Sequence, residues 1–325
     1  MMSERSMILH TVQKGQHALV ITHVDPDGDA IGSLTAVGIA LKQMGIKATM
    51  VCDDAVPTRF SYLSMADAVR SQPDPMIAYD LLIAVDCGDE SRMGNAYAHY
   101  PNPRPFIINI DHHVTNTHFG DLNLVLGTAT STTEILYGLF KEWELDISSG
   151  LASSLLTGLV TDTLGFRTDG VTAVTLHAAA NLVDAGADLN KITMRALNVR
   201  AFKTIRMWQV GMTHMQIDGG LLWTSINNAE RHALDFRGNS SQGLVNMLAD
   251  VEEASMGAVL MEMDDGSVKV GLRCRPPFDV SEVAVSLGGG GHKLASGCTL
   301  DGPLEDAERL LVERCKAAIQ RQGSE

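Results

Sequence analysis

The sequence predicts an α/β protein: a mostly parallel sheet with helices on both faces, followed by a smaller α/β C-terminal domain. Three observations carry that expectation. Short apolar runs rich in β-branched residues alternate with helix-like or polar stretches through the first half of the 325-residue chain. Three of those runs, and one helix-like run, end in aspartate or histidine. From about Asn190 the text becomes more basic, then passes to a hairpin signal and a run of four glycines.

Taken in order, "HALVITHV" is short and apolar enough for a buried strand. In "AIGSLTAVGIALKQMG" the residues Ile31, Leu34, Val37, Leu41 and Met44 recur at helical spacing, and Gly45 supplies the stop. "KATMVCDD", "LLIAVDC" and "PFIINIDHH" read as further strands. Helices are expected over "STTEILYGLFKEWEL", "SGLASSLLTGLVTDT" and "TAVTLHAAANLVDAG". A connecting helix is expected at 191–210, which divides the chain into 1–190 and 211–325. Beyond it, "GLLWTSINN" and "GAVLMEMDDGSVKVGLRCR" read as strands, with an Asp-Gly hairpin turn in the second.

Composition narrows the class. Apolar residues make up 45% of the chain, which fits a globular protein with real cores. No apolar run is long enough to span a bilayer, and "MMSERSMILH" lacks the pattern of a secretory leader. The five scattered cysteines never form a CxxC pair, as expected for reduced thiols in a cytoplasm. A net charge of −14 argues against a broad electrostatic grip on duplex DNA, though not against small anionic substrates.

The stretch "THVDPDGDA" places Asp25, Asp27 and Asp29 just after His23, where a strand hands over to a helix. An EF-hand loop would need Gly at its sixth position and Glu at its twelfth; counted from Asp25 these are Ala30 and Ala36. A helix cap would use one aspartate and leave the rest to solvent. The other endings decide between these readings. "LLIAVDCGD" delivers Asp86, "FIINIDHH" delivers Asp111, His112 and His113, and "LLTGLVTDT" delivers Asp162. In an open α/β sheet such ends share one rim, and the gathered charge repels unless cations neutralise it. Carboxylates mixed with imidazole favour Mn²⁺, Fe²⁺, Co²⁺ or Zn²⁺ over calcium. Roughly six ligands suffice for two metals about 3.5–4 Å apart, an arrangement used for phosphoryl hydrolysis.

These segments, in order "THVDPDGDAIGS", "VDCGD", "DHHVTNTHFGDLNLV" and "TGLVTDT", resemble the four motifs of the DHH phosphoesterase superfamily. "GGGGHKLASGC" resembles the signature of the DHH-associated nucleotide-recognition domain, and length and domain order resemble the nano-RNase A group. The resemblance implies an enzyme that hydrolyses short oligoribonucleotides and 3′-phosphoadenosine 5′-phosphate with two Mn²⁺ (Co²⁺ possible). It implies His23 and Asp27 on one metal, Asp29, His112 and Asp162 on the other, and Asp86 bridging them. His113 would face the scissile phosphate and Asp111 would orient an imidazole. Asn116 and Asp121 are expected to shape the loop, and Arg92 follows Asp86 closely enough to enter the site. The implied partners are short single-stranded RNA and small nucleotides, with a homodimer as the assembly.

The glycine run can form an anion-binding nest, and Arg273, Arg275 and Lys293 add positive charge near it. The resemblance supports Arg273, Gly289, Gly290, Gly291 and His292 as substrate contacts more than Arg275 or Lys293. Trp208 and Trp223 are expected in the core or at an interface. Rival readings are a processive exonuclease, a pyrophosphatase, a cyclic- or linear-dinucleotide phosphodiesterase, and a nucleotide-sensing module without turnover. The first would need basic grooves, which an acidic chain does not offer.

Overall fold

The computed structural model describes residues 3–323 apart from 99, 101, 102, 237, 239, 240 and 242. The chain divides into two compact units between Val199 and Arg200. In the first, helix α1 (Glu4–Lys14) precedes strand β1 (His17–Ile21), helix α2 (Gly28–Gln43) and strand β2 (Lys47–Val51). Strand β3 (Leu81–Val85), helix α3 (Asn95–Ala98) and strands β4 (Phe106–Asp111) and β5 (Leu122–Val125) follow. Helices α4 (Thr132–Glu142), α5 (Ser149–Asp162), α6 (Ala173–Asp184) and α7 (Leu189–Thr193) complete the unit.

The five strands lie parallel in the order β2-β1-β3-β4-β5. All of β3 is buried, as a central parallel strand covered on both faces must be. One face carries the larger core, where Val20, Ile83 and Ile108 meet Leu34, Leu41, Leu136 and Leu155 from the helices. The other face is thinner. There Leu19, Leu82 and Ile107 pack under Met93, Ala96 and Tyr79. Strand order reverses between β1 and β3, so the crevice beyond their carboxyl ends is the ligand position such sheets favour.

Helices α2 and α5 approach closely because small residues face each other. A Cβ on Gly32 would lie 2.6 Å from the Ser154 carbonyl oxygen. This contact brings the C-terminal end of α5 to the mouth of the crevice.

The second unit contains helix α8 (Phe202–Thr213), strands β6 (Gln216–Asp218) and β7 (Leu221–Ile226), and helices α9 (Asn228–Ala233) and α10 (Leu244–Ala249). Strands β8 (Met256–Glu262) and β9 (Val268–Cys274), helix α11 (Ser281–Ser286), strands β10 (Gly290–His292) and β11 (Ala295–Leu300), and helix α12 (Leu304–Gln322) follow. They build a six-stranded mixed sheet, β10-β11-β9-β8-β7-β6, in which only β7 and β8 pair in parallel. The Asp-Gly turn joins β8 to β9, with Gly266 at φ +81°.

Residues 191–210 do not form the single connecting helix expected from sequence. Helix α7 runs into a π-helical turn at Met194–Asn198, the backbone is extended at Val199 and Ala201, and α8 begins at Phe202. The two halves bury side chains in different cores: Ile192 and Ala196 in the first unit, Met207 in the second. No helix among the described residues is long and apolar enough to cross a membrane.

Candidate metal centre

Each strand next to the crevice presents its polar residues at its carboxyl end. After β1, His23 is buried and its Nδ1 donates to the Val24 carbonyl at 2.6 Å. That bond occupies Nδ1 and leaves Nε2, 3.4 Å from Asp86 Oδ2, to face that carboxylate when protonated or to hold a cation when not. Asp27 caps α2, its Oδ1 accepting from the amides of Asp29 and Ala30 at 3.0 and 3.1 Å. The cap reading and the ligand reading are compatible, because Oδ2 is not engaged in that bond. Asp29 is fully buried. Its carboxylate takes the amides of Thr132 and Thr133, at 2.6 and 3.0 Å, from the first turn of α4. Asp25 is exposed, at φ 52°, and its amide donates to Asp54.

Asp86 follows β3 in the left-handed region at φ 60°, a conformation aspartate tolerates better than most residues. The turn directs a buried carboxylate into the crevice. Its Oδ1 accepts from Thr132 Oγ1 at 2.9 Å and lies 3.7 Å from His112 Nε2 and 3.8 Å from His113 Nδ1. His112 Nε2 is also 3.3 Å from Oδ2 of Asp162, the last residue of α5. His113 Nδ1 is bonded to Asp111 Oδ1 at 2.7 Å. Asp111 is held in turn by the His112 amide and by Asn116 Nδ2, and Asn116 also donates to the Cys87 carbonyl.

Within this unit three sets of side chains each bring ligand atoms within 4.8 Å of one another: His23–Asp27–Asp86, Asp29–Asp86–His112 and Asp86–Asp111–His113. Asp86 belongs to all three. Asp162 joins the second set through its approach to His112. The six residues named from sequence as metal ligands therefore converge on one crevice.

The electrostatics describe a site short of positive charge. Burial, then the charges of Asp86 and Asp27, push Asp29 well above the usual carboxylate range. Burial, then Asp29, Asp27 and Asp86, do the same to Asp162. For Asp86 burial also opposes ionisation, but the His23 hydrogen bond and the neighbouring imidazoles outweigh it and hold the group low. Burial opposes the charged form of His113, yet its bond to Asp111 and the charge of Asp86 raise it to about 9. Cations held among these oxygens and imidazoles would relieve the repulsion, and the donor set, with no thiolate in any of the three sets, suits a divalent transition ion.

Sequence reasoning missed Thr132, Thr133 and Gly158. A Cβ on Gly158 would sit 2.3 Å from Asp29 Oδ1 and 2.4 Å from Thr133 Oγ1. The helix-start signal "STTE" was present, but nothing in it points to an aspartate 103 residues earlier. Asp121 shapes the loop as expected, accepting from Arg104 and the Ile107 amide. Arg92 is exposed, and its carbonyl accepts from Val24.

In the second unit the glycine run is the end of α11 followed by an edge strand rather than an open nest. The amides of Gly288 and Gly289 donate to Val285 and Ala284, closing the helix. Gly290, Gly291 and His292 form β10, paired with Gly297, Ser296 and Ala295. Gly289 is packed so tightly that a Cβ would meet the Gly297 carbonyl oxygen at 2.2 Å, while Gly290 faces open space. Arg273 lies on β9, its guanidinium desolvated and bonded to the Leu272 carbonyl at 2.8 Å. No carboxylate pairs with it among the described residues. Arg275 is a structural clamp, bonded to the carbonyls of Val251, Glu252 and Ala254. Trp223 is in the core and Trp208 is half-buried, donating to the Ser241 carbonyl.

A parallel sheet that gathers carboxylates and imidazoles around one shared aspartate at its switch point has the donor set of a metal-assisted phosphoester hydrolase, and the comparisons place the chain in that class. The family follows from comparison. Residues 17–159 match the DHH family N-terminal domain and residues 229–321 match the DHHA1 domain. The chain is 34% identical to a bifunctional oligoribonuclease and PAP phosphatase NrnA of Thermus thermophilus, over 94% of this chain and 90% of the relative. It is 24% identical to the protein of the same description in Bacillus subtilis, over 95% and 97% of the two chains. The crystal structure of an exopolyphosphatase-related protein from Bacteroides fragilis superposes with a TM-score of 0.87 at 21% identity, covering 98% of this chain and 97% of that one. That likeness concerns the fold. The chain belongs to the DHH family.

Proposed function

We propose that this protein hydrolyses short oligoribonucleotides and removes a phosphate from 3′-phosphoadenosine 5′-phosphate, using two Mn²⁺. The observation that carries the reading is the position of Asp86, common to a His23–Asp27 pair and a His112–Asp29 pair. The relatives' descriptions supply the substrate class. On this reading His23 and Asp27 hold one cation, Asp29, His112 and Asp162 hold the other, and Asp86 serves both. When bound, the two cations supply Lewis acidity toward the phosphoryl oxygens and a water of lowered pKa.

The remaining residues act directly. His113, its Nδ1 bonded to Asp111 at 2.7 Å, is the proposed contact to a phosphoryl oxygen through Nε2. Asp111 fixes the orientation of that ring, and Asn116 fixes Asp111. In the second unit Arg273 is the proposed grip on a nucleotide phosphate, since its desolvated guanidinium has no carboxylate paired with it among the described residues. His292 and the edge formed by Gly289, Gly290 and Gly291 are the proposed companions. The acidic chain fits single-stranded and mononucleotide partners better than duplex DNA, and a cytoplasmic homodimer is the assembly we infer.

The test is turnover of 3′-phosphoadenosine 5′-phosphate, the linear dinucleotide pGpG and RNA of two to ten residues, side by side, with Mn²⁺ and with Mg²⁺. The reading requires Mn²⁺-dependent release from the bisphosphate and from the shortest RNAs. Hydrolysis of pGpG alone would replace it with a dinucleotide phosphodiesterase. No turnover of any substrate with metal bound would make the protein a sensing module.

A further inference from the structure

We infer that Thr132 is a positioning residue that aims the shared carboxylate of Asp86, an inference resting on the two-metal reading above. Asp86 can serve two cations with one oxygen each if its two oxygens point to different sides. In the structure they do: Oδ2 faces His23 Nε2 at 3.4 Å, and Oδ1 faces His112 Nε2 at 3.7 Å. The terminal torsion of an aspartate is broad and roughly two-fold, so the turn after β3 alone does not hold the carboxylate plane. The Thr132 hydroxyl does, donating to Oδ1 at 2.9 Å within the buried site.

Thr132 is itself fixed from two directions. It is the first residue of α4, its amide is bonded to Asp29 Oδ2 at 2.6 Å, and its β-branched side chain is stiff at χ1. The same residue therefore touches two proposed ligands of the second cation, one through its backbone and one through its hydroxyl. Ser131 caps the helix by accepting the Glu134 amide at 3.0 Å, and Glu134 Oε2 accepts the Thr130 amide at 2.7 Å. The first turn of α4 is thus anchored independently of the hydroxyl under discussion.

The experiment compares wild type with Thr132→Val, which keeps the shape and removes the hydroxyl, and Thr132→Ser, which restores it. Mn²⁺ binding is followed by calorimetry and by the electron paramagnetic resonance signal of an exchange-coupled pair, with thermal unfolding of the metal-free proteins as the fold control. Partners of metal ligands typically contribute about 10- to 100-fold in metal affinity. Thr132→Val should lose about that much at one of the two positions, lose the coupled signal at limiting metal, and regain turnover when Mn²⁺ is raised. Thr132→Ser should behave as wild type. A folded Thr132→Val protein with wild-type affinity and coupled signal overturns the inference. If Thr132→Val fails to fold, Thr132→Ala takes its place; failure of both assigns the hydroxyl to the fold and overturns the inference too. Absence of a coupled pair in wild type defeats the two-metal reading instead, so the two failures are distinguishable.

Discussion

Replacing Gly158 by alanine separates helix propensity from site geometry. Alanine in a helix interior is favoured over glycine by about 1 kcal/mol, so an open site should gain stability. Gly158 is not open: the new Cβ would lie 2.3 Å from Asp29 Oδ1 and 2.4–2.5 Å from Thr133. Relieving that overlap requires a shift of about 1 Å, since carbon contacts relax near 3.5–4.0 Å. Such a shift breaks at least one bond between Asp29 and the α4 amides, which lie at 2.6 and 3.0 Å. Overpacking costs about 1–3 kcal/mol, and a lost hydrogen bond to a carboxyl that burial keeps neutral about 0.5–1.5 kcal/mol. With the propensity gain subtracted, Gly158→Ala should destabilise by about 0.5–3.5 kcal/mol. Urea unfolding of the metal-free protein measures this, and Gly138→Ala is the control. Gly138 lies on α4, where a Cβ would meet only Arg5 at 3.7 Å, and a gain of about 0.5–1 kcal/mol is expected there. Equal stabilisation at both positions would refute the packing of α5 onto Asp29.

Three further outcomes follow. Asp86→Asn should cut hydrolysis by more than about 100-fold, beyond the loss from outer partners, while the metal-free protein stays folded; substantial turnover by a folded variant would remove Asp86 from the centre. Arg273→Ala should lower kcat/KM for a nucleotide with a second phosphate by about 10- to 100-fold and spare a minimal activated phosphodiester, and equal losses on both would move Arg273 out of the proposed grip. The metal-free protein should lose stability between pH 6.5 and about 9, because the folded state raises His113 from 6.5 to about 9 and so binds more protons than the unfolded chain in that window. The raised Asp29 and Asp162 act in the same sense. Chemical unfolding at steps across this window checks the sign, and a rise in stability would contradict it.

Much of the first unit was legible because its signals are local. Apolar runs ending in Asp86, Asp111 and His23 announce parallel strands that bring polar side chains to one rim, and the strand order bears out the parallel sheet. What was not legible depends on contacts between distant segments. Thr132 reaches Asp86 across 46 residues, and Gly158 matters because α5 crosses α2 beside Asp29. The break at Val199 was hidden for the same reason, since helical propensity runs through it while the two flanking helices bury residues in separate cores. The glycine run showed the opposite limit. Its composition allows a nest, but two of its amides close α11 and three residues of "GGGGH" extend an edge strand.

Anomalous diffraction at the manganese edge, from crystals grown with Mn²⁺, locates the cations themselves. Two peaks should flank the Asp86 carboxylate, one beside His23 and Asp27, the other beside Asp29, His112 and Asp162. A single peak that leaves Asp86 bound on one side only, or peaks away from this crevice, would contradict that arrangement.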